Sequence, residues 1–129
     1  MKLNKRLAVL YAEDNEDSGF MLSTLLGFSG IDVLWARSVK EAFQSAQNGH
    51  FDLFLLDSRF PDGSGFDLCQ QLRAINPQTP IVFYSGDAYE TDRQKGLKMG
   101  ADAFLVKPEV NTVFPTISEL ITRMPRGEN

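Results

Sequence analysis

The run Leu53-Phe54-Leu55-Leu56-Asp57, followed by Ser58-Arg59-Phe60-Pro61-Asp62-Gly63-Ser64-Gly65-Phe66-Asp67-Leu68, decides the fold. Four consecutive large apolar residues with no polar alternation suit a strand covered on both faces, the usual condition in a parallel sheet. A single carboxylate closes the strand. The polar stretch from Ser58 to Ser64 reads as a loop. Phe66, Cys69, Leu72 and Ile75 then recur at helical spacing until Asn76-Pro77, because the residue before a proline avoids helical geometry.

The same alternation repeats on both sides of this unit. Leu7 to Tyr11, Ile31 to Ala36, Ile81 to Tyr84 and Ala103 to Val106 are further strands by their apolar, β-rich composition. Met21, Leu22, Leu25, Leu26 and Phe28 follow helical spacing up to Gly30. Ser38 and Glu41 form a capping box that opens a helix over Ala42, Phe43 and Ala46, ended by Asn48-Gly49. Glu90 to Lys98 is a polar helix carrying Gly96, and Val113, Ile117, Leu120, Ile121 and Met124 share one face of a last helix with Pro115 in its first turn. Strands and helices alternating five times predict an α/β fold, a doubly wound parallel sheet of five strands with five crossover helices.

Open sheets of this kind hold their ligands beyond the carboxyl ends of the strands. Glu13 and Asp14 follow the first strand, Asp57 the third, Ser85 the fourth and Lys107 the fifth. Taken singly each has a plain structural use: an acid at a helix start, a loop cap, a strand-end hydroxyl, a surface lysine. Gathered at one edge they do not. Three carboxylates within ~5 Å repel by about 3 kcal/mol per pair at an effective dielectric of ~20, so the cluster calls for a cation. Mg²⁺ suits it, as a hard ion that takes one or two carboxylates, a carbonyl, waters and phosphate oxygens. Lys107-Pro108 adds a proline that sets a tight turn and admits a cis bond. Asp57, Ser85 and Lys107 then supply a nucleophile, a hydrogen-bond donor and a fixed positive charge for phosphoryl transfer.

Composition narrows the class further. At 129 residues and 43% hydrophobic content the chain matches one ordinary domain, expected over residues 1–129 with its core at about 6–124. Its longest apolar stretches are far short of the ~20 residues that span a bilayer, so no membrane insertion and a cytoplasmic location are expected. A net charge of −4 without a basic run argues against direct nucleic-acid binding. Cys69 falls in an apolar helical pattern and reads as a buried, inert thiol, while the one histidine, His50, reads as a solvated turn residue.

Leu10-Tyr11-Ala12-Glu13-Asp14, Leu55-Leu56-Asp57 with Pro61 to Leu68, Tyr84-Ser85-Gly86, and Gly100 to Pro108, in this order and spacing, resemble the receiver domain of two-component response regulators, in its single-domain form like a chemotaxis regulator. The likeness covers roughly residues 6 to 124 and implies a flavodoxin-like strand order 2-1-3-4-5. It also implies a set of roles. Asp57 would be the phosphoacceptor, taking its phosphoryl group from a histidine kinase or phosphotransfer protein. Asp14 would bind Mg²⁺ directly, Glu13 through water, and the backbone carbonyl of Arg59 would complete the protein's share of the metal shell. Ser85 and Lys107 would each meet a phosphoryl oxygen, and Ser85 with Phe104 would form a switch, Phe104 turning inward from the surface to remodel the face of the fourth helix, fifth strand and fifth helix, where a downstream protein docks. Gly86, Asp87, Arg59 and Pro108 would flank the pocket, with Arg59 and Asp87 able to pair across its mouth. Serine at 85 and phenylalanine at 104 depart from the family's common threonine and tyrosine.

Two rival functions fit parts of this pattern. A haloacid-dehalogenase-like phosphatase also places an Asp nucleophile after an apolar strand, but needs a second Asp two positions on, where Arg59 stands here. A pseudo-receiver would bind partners without phosphorylation, and the intact set of Glu13, Asp14, Asp57, Ser85 and Lys107 argues against it. Only Pro125 to Asn129 follow the last helix, so the output is expected to be a protein contact unless the chain is part of a longer protein. Trp35, ending the second strand, is expected to lie away from the pocket.

Overall fold

Strand β3 (Leu53–Leu56) occupies the middle of the sheet, and all four of its side chains are buried. The computed structural model describes residues 6–123 except residue 88. Around β3 lie β1 (Leu7–Ala12), β2 (Ile31–Ala36), β6 (Ile81–Ser85) and β7 (Ala103–Val106), with a small hairpin of β4 (Arg59–Phe60) and β5 (Gly63–Ser64) after β3. The helices are α1 (Glu16–Phe28), α2 (Val39–Asn48), α3 (Gly65–Ile75), α4 (Glu90–Lys98) and α5 (Val113–Arg123), the last preceded by a 3₁₀ turn over Val110–Thr112. The large sheet runs β2-β1-β3-β6-β7 with every pair parallel. Counted over its five strands this is the order 2-1-3-4-5, the flavodoxin-like arrangement that the resemblance implied.

Alternation along the strands sends side chains to two separate cores. Val9, Tyr11, Leu53, Leu55, Val82 and Tyr84 pack with Leu22 and Leu26 of α1 and Val113, Ile117 and Leu120 of α5. Leu10, Ala12, Phe54, Leu56, Ile81 and Phe83 pack with Ala42 and Ala46 of α2 and Leu68, Cys69 and Leu72 of α3. Of the five apolar residues at helical spacing in α1, Leu22 and Leu26 are buried. Met21, Leu25 and Phe28 are exposed, because residues four apart share a face whereas those one or two positions away turn out of it. Met124, expected on the last helix, lies outside the described residues.

The stretch from Ser58 to Ser64, expected as plain loop, holds the β4–β5 pairing of Arg59 with Ser64 and Phe60 with Gly63. This hairpin is tied to α2 by Asp62, whose carboxylate accepts the Val39 and Lys40 amides at 3.0 and 3.1 Å. Ser38 caps α2 as expected, taking the Glu41 amide at 3.0 Å, but the Glu41 carboxylate reaches the Arg37 amide and not that of Ser38. Asp62 therefore satisfies first-turn donors that a local cap cannot reach. At the start of α3, Ser64 accepts the Phe66 amide at 3.0 Å. Here a Cβ on Gly65 would stand 1.9 Å from the Asp57 carbonyl oxygen, so only glycine lets α3 begin against the end of β3.

Candidate functional site

Each acid follows a strand where the chain leaves the large sheet, and the parallel order places these exits along one edge. Oxygens of Glu13, Asp14 and Asp57 all lie within 4.8 Å of one another. The three differ in setting. Glu13 is fully buried, Asp57 half-buried and Asp14 exposed. Lys107 reaches into this group from the end of β7, with Nζ 2.6 Å from Glu13 Oε1 and 3.2 Å from Asp57 Oδ2. Glu13 also accepts the Asn15 amide at 3.0 Å, and Tyr11 Oη lies 3.4 Å from its Oε1. The Ser58 amide donates to Asp57 Oδ1 at 2.7 Å.

These contacts govern the charges. Burial alone would lower the Lys107 ammonium, but its hydrogen bond to Glu13 and the Asp57 charge outweigh burial and hold it above the ordinary lysine range. Burial pushes the Glu13 carboxyl up, and the Asp57 charge adds to it, against the pull of Lys107 and the Asn15 amide. Burial likewise raises the Tyr11 hydroxyl, so it faces Glu13 as a neutral donor. Three carboxylates within 4.8 Å of one another, two of them bonded to one ammonium, make a hard-oxygen set that fits a divalent cation.

Beyond β6 the second half of the site forms a chain of polar contacts. Ser85, buried at the end of β6, has its Oγ 2.6 Å from Ser58 Oγ and accepts the Asp87 amide at 3.1 Å. Asp87 Oδ2 accepts both the Ser58 hydroxyl and the Arg59 Nε at 2.8 Å. Burial works to raise the Asp87 carboxyl, yet these two donors prevail and hold it below the usual range. The expected Arg59–Asp87 pairing is thus present, with the Arg59 side chain 76% exposed. Gly86 and Pro108 are exposed at the rim, and the Lys107-Pro108 peptide is cis.

Ser58 was not legible as a site residue. It has the same chemistry as any loop serine, and only its burial and its two contacts distinguish it. Two other positions differ from expectation. Phe104 does not lie at the surface. Its ring is half-buried and stacked on Phe83 at 5.5 Å, and a Cβ on Gly96 of α4 would stand 3.0 Å from each of those rings. Trp35 is not remote from the pocket, since its indole Nε1 donates to the Glu13 carbonyl at 2.8 Å while its ring lies against Gly19. Cys69 is buried, with its thiol pushed up to about 11 mainly by burial, and His50 is exposed near Asp52.

An open parallel sheet with an acidic cluster, a strand-end hydroxyl and a lysine at its carboxyl edge defines the class of α/β folds that hold ligands beyond the ends of their strands. Comparison with known sequences narrows this. The profile of the response regulator receiver domain matches residues 9–117, and the chain belongs to that family, a signalling module of two-component systems. The chain is similar to the transcriptional regulatory protein RprY of Bacteroides fragilis (29% identity, 98% of this chain, 53% of RprY). It is also similar to the response regulator protein PilR of Pseudomonas aeruginosa (39% identity, 80% of this chain, 23% of PilR). The chain therefore spans about half of the first relative and a quarter of the second. Among solved structures, the non-phosphorylated HemR receiver domain of Leptospira biflexa superposes with a TM-score of 0.84 at 31% identity, covering 96% of this chain and 100% of that one. No helix among the described residues is long and apolar enough to cross a membrane.

Proposed function

We propose that the chain works as a phosphoacceptor receiver, taking a phosphoryl group onto Asp57 from the phosphohistidine of a kinase or phosphotransfer protein. The observation that carries this reading is the convergence of Glu13, Asp14 and Asp57 oxygens within 4.8 Å, with the Lys107 ammonium between Glu13 and Asp57. Asp14, Asp57 and the Arg59 carbonyl would hold Mg²⁺, with Glu13 acting through water. When bound, Mg²⁺ draws charge from the phosphoryl oxygens and lowers the repulsion between them and the carboxylates.

An oxygen of Asp57 attacks the phosphorus in line. The O–P bond forms as the donor's P–N bond breaks, and the bonding pair stays on the imidazole nitrogen of the donor. Lys107 holds positive charge beside Asp57 throughout, and the Ser85 hydroxyl meets a phosphoryl oxygen once transfer is complete. The Arg59 guanidinium, paired with Asp87, offers no acid or base at the position a haloacid-dehalogenase-like phosphatase would need. Output runs through the face of α4, β7 and α5, where Leu97 and Phe114 are exposed to a downstream protein.

Incubation with acetyl phosphate and Mg²⁺, read by mass spectrometry, tests the reading. Wild type should gain one phosphoryl group on Asp57, and Asp57→Asn should gain none while keeping its fold. A phosphoryl group found elsewhere, with Asp57 unmodified, would sink the assignment. No labelling at all would favour a pseudo-receiver.

A further inference from the structure

The Ser58 hydroxyl ties Ser85 to the Arg59–Asp87 pair, and the direction of its hydrogen bonds can be worked out. The Asp87 carboxylate, paired with Arg59 at 2.8 Å, only accepts, so the Ser58 hydroxyl spends its one proton on Asp87 Oδ2. The 2.6 Å contact between the two serines must then use the proton of Ser85. The Ser85 oxygen accepts the Asp87 amide on its other side. In this arrangement the Ser85 proton points at Ser58 and is not free for Asp57 or anything bound to it. Both serines are buried, so water is poorly placed to replace the contact when it breaks.

We propose that Ser58 is a positioning residue for phosphoryl transfer, its oxygen holding the Ser85 hydroxyl in the resting domain and setting how readily that hydroxyl is released to a phosphoryl oxygen. The inference rests on the reading of Asp57 as the acceptor. Ser85 has one proton and two possible acceptors, Ser58 in the resting state and the phosphoryl group in the loaded one. Strengthening the first weakens the second. The Arg59–Asp87 pair acts at the far end of the same chain, because it fixes the proton of Ser58 on Asp87 and so leaves the Ser58 oxygen as an acceptor.

Beryllofluoride, a phosphoryl mimic, provides the test through its affinity for the full chain in Mg²⁺, measured by calorimetry. Ser58→Ala deletes one oxygen, introduces no clash, and should bind about two- to tenfold more tightly than wild type, the range that one neutral hydrogen bond corresponds to. The decisive comparison is the double-mutant cycle. In a Ser85→Ala background, adding Ser58→Ala should leave the affinity unchanged, whereas a merely structural role for Ser58 would shift both backgrounds alike. Equal shifts in the two backgrounds, or no tightening by Ser58→Ala in a protein whose wild type binds, would overturn the Ser58 assignment alone. Failure of wild type itself to bind beryllofluoride would overturn the acceptor reading along with it.

Discussion

Lys107 Nζ lies 2.6 Å from Glu13 Oε1, an ammonium from the end of β7 set against a carboxylate that solvent does not reach. A buried ion pair of this kind contributes little over an apolar pair, but removing one partner leaves a buried charge without compensation. Lys107→Ala should therefore destabilise the metal-free domain by about 3 kcal/mol in urea unfolding. It should bind Mg²⁺ at least as well as wild type in isothermal titration, because a competing cation is gone. Unchanged metal-free stability would show that Glu13 is not held by Lys107. Tighter Mg²⁺ binding by Asp14→Ala than by wild type would contradict the metal assignment.

Asp62 makes a pH-dependent link between the β4–β5 hairpin and α2. The Val39 and Lys40 amides hold its carboxyl below the ordinary aspartate value. A group depressed in the folded state contributes stability that is present above its unfolded pKa, near 3.9, and lost as pH falls through the folded value. Asp62→Ala should cost about 1 kcal/mol near neutral pH, as loss of a helix cap does, and the gap from wild type should shrink at a pH below the unfolded value near 3.9. Urea unfolding of both proteins at the two pH values checks it, and a gap that stays constant would mean the carboxylate charge plays no part.

Phe83 and Ser85 lie two positions apart on β6 and so share one face of the sheet, and Phe104 stacks on Phe83 at 5.5 Å. A shift of Ser85 toward a phosphoryl oxygen thus begins one pleat away from the Phe104 ring, which is already packed inward against Gly96 of α4. Ser85→Ala should still accept phosphate on Asp57 but lose most of the beryllofluoride-dependent change in amide exchange around Phe104 and residues 89–98. Retention of the full change would move the trigger to Lys107 or to the loop after β6.

Trp35 gives the site an intrinsic reporter. Its indole donates to the Glu13 carbonyl and the Arg37 guanidinium lies 4.0 Å above its ring, so a change at Glu13 alters the surroundings of the fluorophore directly. Mg²⁺ titration should change Trp35 emission in wild type with the midpoint found by calorimetry, and Asp14→Ala should flatten the response. A flat wild-type trace alongside calorimetric binding would show that Glu13 does not move.

The fold and the acidic cluster were readable along the chain because each depends on short-range pattern. Unbroken apolar runs mark strands covered twice, helical spacing marks the crossovers, and polar residues directly after Tyr11-Ala12, Leu56, Tyr84 and Val106 must emerge at the sheet's carboxyl edge once the strands are parallel. The misplaced readings have a common cause. Phe28 obeyed helical spacing yet faces outward, because spacing gives a relative angle and not the direction of the core. Trp35 was set apart by its position on the second strand, although β2 pairs directly with β1, Trp35 lying opposite Tyr11, two residues before Glu13.

The sequence by itself determined the order of strands and helices, the parallel sheet and the residues Glu13, Asp14, Asp57, Ser85 and Lys107, since these follow from composition and periodicity within ten or so neighbouring positions. Only the tertiary structure decided which of their atoms touch. The Lys107–Glu13 contact joins residues 94 apart, Ser58 meets Ser85 across 27 positions and Asp62 caps α2 across 23. Hydrogen bonds depend on rotamers and on separations of a few tenths of an ångström, quantities set by how α2, α3 and the hairpin pack around β3 and carried by no local pattern in the chain.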